Sequence, residues 1–217
     1  MKLLFALALL LPAFPLAAQV SFDTAKLREG DLVYIHSQSS QAGAIAEATG
    51  SDWTHVGVLL KTDKGWEVAE AARTVAKTPL ADFLARSRGG GYEVKRLKAW
   101  GRGAPANQLK RLKKGLDSYL GKPYDIYFEW SDDAIYCSEY AWKAYSYALG
   151  GSKGLPAPQK FSDIKLDGPL ASALFTKRYA AEGRKFNTDE PIVTPGALFG
   201  APQFETVAAG AAAAPQK

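Results

Sequence analysis

Between residues 53 and 71 the chain alternates in two short runs, WTHVGVLLK and WEVAEA, and a step of two marks each run as a strand. In the first, Trp53, His55, Gly57 and Leu59 share one face, while Thr54, Val56, Val58 and Leu60 share the other. Neither face is clearly polar, so both are expected to be covered. Asp63-Lys64-Gly65 is turn chemistry, and the two strands are expected to pair antiparallel. A turn centred near Lys61 to Lys64 makes opposed residues sum to about 125, which sets His55 against Glu70 at a cross-strand distance of roughly 4.5–5.5 Å.

A helical step governs residues 132–150. Ala134, Cys137, Ala141, Tyr145 and Ala148 or Leu149 recur every three or four positions, and Gly150-Gly151 stops the run. The helix is expected from Asp132 or Asp133 to Leu149, with Ser131, Asp132 or Asp133 as N-cap. A second amphipathic helix is expected over 106–120, with Leu109, Leu112, Leu116 and Leu120 on one stripe and lysines on the solvated face. Shorter helices are expected after Ser39 or Ser40, from Pro79 at a first helical position, and over 170–179. Strands are expected at Leu32–Ile35, Tyr92–Leu97 and, at an edge, Phe204–Val207. Gly89 to Gly91 read as a mobile link.

The first eighteen residues, MKLLFALALLLPAFPLAA, carry a charged start, an apolar run and small residues at the end. That pattern is a secretory signal with cleavage after Ala18, so an exported, periplasmic or secreted product is expected. Residues 19–207 then form one domain, and 208–217 a disordered tail. No later stretch is apolar enough for stable membrane insertion. The net charge of +5 is mild, with much of it supplied by 102–122, and no nucleic-acid motif accompanies it, so acidic surfaces such as cell-wall polymers or anionic lipid are the expected partners rather than nucleic acid.

The single cysteine, Cys137, cannot form an internal disulfide. At or near a helix start its thiolate is favoured by the dipole. One reading is a buried core residue, the other a nucleophile. The two histidines offer a base: His55 on the alternating strand, or His36 after a strand with no nearby acid. Glu70 sits among apolar neighbours and is a candidate to orient His55. Tyr124 heads an aromatic segment ahead of Cys137 and is a candidate oxyanion donor. A zinc site from His36, His55 and Cys137 lacks a compact ligand pair, and no cofactor or metal is expected.

The segments GDLVYI, SQAGAIAEAT, SDWTHVGVLL, EAARTVAKTPL, GKPYDIYFEWSDDAIYCSEYAWKAY and VTPGALF cover most of the chain after residue 30. Together they resemble the YiiX/YebB-like family, in the permuted branch of the NlpC/P60 papain-like cysteine-peptidase superfamily. The resemblance implies an α+β, circularly permuted papain-like fold, with an antiparallel sheet against a cysteine-bearing helix. It also implies Cys137 as nucleophile, His55 as base and Glu70 as orienting carboxylate. On that footing the expected function is thiol-dependent amide hydrolysis through an acyl-enzyme, with cell-wall peptides as substrate. A lipid acyl hydrolase or acyltransferase, and a non-catalytic envelope-binding module, are the alternatives.

The natural product is expected to begin at Gln19. Intact-mass spectrometry of exported material checks this, and a retained Met1 or a lipid-bearing N-terminus would contradict it.

Overall fold

The computed structural model describes residues 24–211, so residues 1–23, where an export signal is expected, and residues 212–217 lie outside the described residues. Six antiparallel strands form one sheet. In chain order they are β1 (Leu32–Ser37), β2 (His55–Thr62), β3 (Gly65–Ala71), β4 (Val75–Pro79), β5 (Ser87–Leu97) and, last in the chain, β8 (Phe204–Ala211). Their spatial order is β4-β3-β2-β1-β5-β8. A second, two-stranded sheet joins β6 (Gln159–Lys160) to β7 (Pro191–Ile192).

Both faces of the large sheet are covered, as the alternation in β2 requires. One face carries Tyr34, Val56, Val58 and Ala69. It packs against α3 (Ala106–Asp117), α4 (Cys137–Leu149) and α6 (Pro195–Gly200). The other carries Val33, Ile35, Leu59 and Val68, and is sealed by Phe83 and Leu84 of α2 (Leu80–Ala85). Beside the sheet, α1 (Ala42–Thr49) and α5 (Pro169–Ala181) build a smaller aromatic cluster around Phe128, Phe161 and Phe175. The expected α+β architecture, with the sole cysteine on a helix packed against an antiparallel sheet, is the one observed.

Several local expectations are corrected. The cysteine helix starts at Cys137 and not at Asp132 or Asp133, because the preceding segment is committed elsewhere. Ile135 bridges Tyr124 in parallel, and Asp125 accepts the backbone N–H groups of Tyr127 and Glu129. Tyr136, extended at φ −97° and ψ 165°, takes the cap position without a side-chain cap bond. Gly89 to Gly91 belong to β5 rather than to a link, with Gly89 and Gly90 at positive φ where a side chain would be strained. Pro79 ends β4 and stands at the N-cap of α2, one position ahead of the first helical position expected for it. Helix α3 stops at Asp117, which leaves Leu120 exposed and off the stripe. Strand β8 runs to Ala211, four residues past the domain end expected at 207, because β5 is long enough to pair with it up to Gly91.

The register of β2 and β3 also differs. Val58 faces Ala69 and Thr62 faces Gly65, so opposed residues sum to 127. Glu70 is therefore opposite Gly57, and His55 is its diagonal neighbour on the same face. Gly57 is required there: a Cβ would stand 2.3 Å from Val68 Cγ1, 3.0 Å from the Ala69 carbonyl oxygen and 3.3 Å from Glu70 Cβ. Gly57→Ala is expected to destabilise the protein by about 1–3 kcal/mol through overpacking of a core that has little slack. Thermal or urea denaturation checks it, and an unchanged midpoint would contradict the close approach.

Candidate active site

Three elements converge at the open end of β2. His55 is the first residue of that strand, Glu70 comes from β3, and Cys137 is the first residue of α4. All three are buried: His55 is 8 % exposed, Glu70 1 % and Cys137 3 %. Helix α4 is held at this height by its neighbours. Ser138 Oγ donates to the Val193 carbonyl at 2.7 Å, and Val193 N–H donates to the Tyr136 hydroxyl at 3.1 Å.

Glu70 is fully engaged. Its Oε2 lies 2.6 Å from His55 Nε2, while its Oε1 accepts from Thr78 Oγ1 and Arg86 Nη2, each at 2.5 Å. Burial acts to raise the Glu70 pKa, but the bond to His55, the Thr78 hydroxyl and the Arg86 charge outweigh it and bring it down to about 2. Across the ring, Phe83 stacks on His55 with centroids 5.5 Å apart. With Nε2 on Glu70, Nδ1 is left for the hydrogen bond shared with Cys137.

Burial acts to lower the pKa of His55, yet the Cys137 charge and hydrogen bond, followed by Glu70, raise it to about 9. For Cys137, burial pushes the thiol up. The His55 charge and hydrogen bond, the Val56 backbone N–H and the Ser138 hydroxyl pull it below its ordinary value. The two titrate together, and the geometry favours a thiolate–imidazolium pair at neutral pH.

Tyr124 lines both sides of the pair. With His55, Gln41 and Arg86 it borders a polar groove of about 370 Å³. With Cys137, Phe128 and Phe175 it borders an apolar slot of about 30 Å³, enough for one small group. Gln41 Nε2 donates to the Tyr124 hydroxyl at 3.0 Å, and Gln41 Oε1 accepts from Arg178 Nη2 at 2.7 Å. Because its oxygen already accepts, the phenolic proton is free to be donated.

The structure thus brings together Cys137, His55, Glu70 and Tyr124. It leaves His36 out, packed against Trp53 at a tilt of 45° with ring centroids 4.3 Å apart. Sequence reasoning missed Gln41, Thr78 and Arg86. Gln41 had one available signal: it stands at the cap position of α1, where a glutamine makes a poor cap, and no side-chain cap bond forms.

Residues 26–208 match the family model described as "Permuted papain-like amidase enzyme, YaeF/YiiX, C92 family". The uncharacterized protein YiiX of Escherichia coli K12 is 40 % identical over 179 residues, spanning 82 % of this chain and 85 % of that protein. A crystal structure from Escherichia coli O157:H7, described as that of metalloprotein yiiX, superposes with a TM-score of 0.77 at 40 % identity. It covers 85 % of this chain and 98 % of the solved one.

These findings correct the expected function. A relative this similar is described as a metalloprotein, and among the described residues no group of three or more His, Cys, Asp or Glu is placed to hold a metal. The assignment as a cysteine hydrolase of amidase or peptidase type, with an acyl-enzyme route, is therefore not retained. The labels cysteine peptidase and thiol protease go with it, as does the alternative of a lipid acyl hydrolase or acyltransferase.

Two outcomes follow from the charge pattern. The raised His55 pKa contributes stability that is complete below 6.5 and lost as pH rises through about 9. The depressed Glu70 pKa contributes stability that is complete above 4.5 and lost as pH falls through about 2. Denaturation free energy is expected to be highest between these limits, and Glu70→Gln to flatten the acid side. A variant with an unaltered acid limb would contradict the assignment. Alkylation of Cys137 by iodoacetamide is expected to show an inflection below that of a free cysteine. His55→Asn should move it upward, above the ordinary value of about 8.5, since burial remains and the cation is gone.

Proposed function

Because the chain belongs to the permuted papain-like amidase family, we propose that the Cys137–His55–Glu70 cluster is its functional centre and recognises the carbonyl of an amide-bearing ligand through the Nδ1–H of protonated His55, shared between the Cys137 sulfur and the ligand oxygen. The observation that carries this reading is the geometry of the pair: a His55 ring fixed by a 2.6 Å bond to a buried carboxylate, beside Cys137 and bordering a groove lined by Gln41, Thr54 and Arg86. A charged donor in a water-poor site polarises a carbonyl oxygen more strongly than the same group in water. Tyr124, held from behind by Gln41, is the second donor in this reading. The family description supports an amide as the ligand group, and the N-terminal segment, read as an export signal, supports peptides of the cell wall as its source.

A resident metal does not fit these residues. Thiolate and imidazole suit a zinc-like ion, but such sites draw three or more protein donors. Here the oxygens of Glu70 are occupied by His55, Thr78 and Arg86, and His36 packs at a tilt against Trp53. No step is assigned to a metal.

A dipeptide amide labelled with carbon-13 at its carbonyl provides the test. On binding to chelator-treated protein, the carbonyl resonance is expected to move in the direction of stronger hydrogen bonding. The shift should fade as pH rises through about 9, where His55 loses its proton. Glu70→Gln should weaken binding by roughly 10-fold, the scale of one charge-assisted hydrogen bond. Binding that requires added zinc, or a shift independent of pH, would falsify the proposal.

A further inference from the structure

Away from the Cys137 cleft, and sharing no lining residue with it, a concavity of about 770 Å³ lies between α3 and α4. We propose that it binds an anionic glycan, with sugar rings stacked on its aromatic residues and their acidic substituents held by Arg111 and Lys114.

The concavity combines aromatic surface with positive charge. Tyr147 is 42 % exposed, which is unusual for an aromatic on the cysteine helix, where Tyr140 and Tyr145 are buried. Trp130 and Trp142 meet edge to face at 5.4 Å and contribute further ring surface. Arg111 and Lys114 project from successive turns of α3 toward the same ring, 5.3 and 6.0 Å from the Tyr147 centroid. Neither cation is paired with a carboxylate among the described residues. Arg111 Nε donates to the Tyr147 carbonyl at 2.9 Å, which orients the guanidinium and leaves its other N–H groups available.

Lys143, also in the lining, differs. Its ammonium lies 2.8 Å from both Asp132 and Glu139 and bonds the Ser131 carbonyl, so its charge is consumed locally. Lys113 of α3 meets Glu29, and Lys77 of the sheet meets Asp117. Among the cations that line the concavity, the unpaired charge therefore falls where the exposed ring is.

That combination selects the ligand. Sugar rings present C–H faces that pack on aromatic rings, and carboxylate or phosphate substituents complement the two free cations. A lipid surface calls for apolar side chains that project outward. Here Trp130 and Trp142 are recessed in a concavity and Trp142 is almost buried.

The test uses the full chain, with an oligogalacturonide as acidic probe and a neutral oligosaccharide of equal length as control. Tryptophan fluorescence and calorimetry read binding at two salt concentrations. The acidic probe is expected to bind and the neutral one to bind at least tenfold more weakly. Tyr147→Ala is expected to weaken binding about 10-fold, and the Arg111→Ala/Lys114→Ala double variant by at least as much, with a smaller salt dependence. Lys64→Ala, a charge change elsewhere on the surface, should leave binding unchanged. Circular-dichroism melting confirms that each variant is folded, and Tyr147→Phe, which keeps the ring, should retain binding if Tyr147→Ala proves unstable. Absence of binding, equal binding by folded Tyr147→Ala, or binding only to vesicles containing anionic lipid would overturn the proposal. Alkylation of Cys137 in the Tyr147 variants should match the parent, which keeps this outcome separate from any failure of the reading at the cleft.

Discussion

Glu70 is a buried carboxylate with both oxygens committed, one to His55 and one to Thr78 and Arg86. An ionised acid in such a place is tolerated only when partners compensate the lost hydration, and these partners come from three separate elements. β2 supplies the imidazole, β4 the hydroxyl and the end of α2 the guanidinium. Gly57, by lacking a side chain, lets β3 approach closely enough for Glu70 to stand in the sheet. Fixing Glu70 fixes the His55 ring, and the ring in turn sets the charge state of Cys137. The electrostatics of the cleft are thus a consequence of sheet register and not of the cleft's own loops.

Much of this was readable from the chain. Period two in WTHVGV and WEVAEA put His55 and Glu70 on one face of adjacent strands, and the three-to-four step behind Cys137 announced the helix. The register came out two residues different, because the hairpin closes at Thr62 and Gly65 and not around Lys61 to Lys64. Long side chains bridged the resulting diagonal, so the pair survived the shift. The start of α4 was not legible, since Asp132 and Asp133 look like caps in sequence while the bridge of Ile135 to Tyr124 prevents the helix from reaching them. Gln41 and Arg86 were not legible either. Their roles depend on contacts 83 and 16 residues away in the chain, and neither falls in a periodic pattern.

Family membership and the relative described as a metalloprotein pull the chemistry of the site in different directions. Donor geometry decides how far each carries. A thiolate and an imidazole are present, yet the acid beside them is saturated by three protein donors, while the His55 pKa is raised first by the Cys137 charge and hydrogen bond and then by Glu70. The same bonds that make His55 a strong charged donor remove Glu70 from any coordination sphere. The pair is built to hold a proton between nitrogen and sulfur, which suits recognition of a carbonyl better than capture of a metal.

Nitrogen-15 NMR of labelled histidine addresses that central claim most directly, with His55→Asn assigning the signals. The account predicts that both ring nitrogens of His55 carry protons at pH 7, that the ring titrates near pH 9, and that Cys137→Ala lowers this value by removing the sulfur charge. A His55 ring that is neutral at pH 7, or one whose titration is indifferent to Cys137, would contradict it.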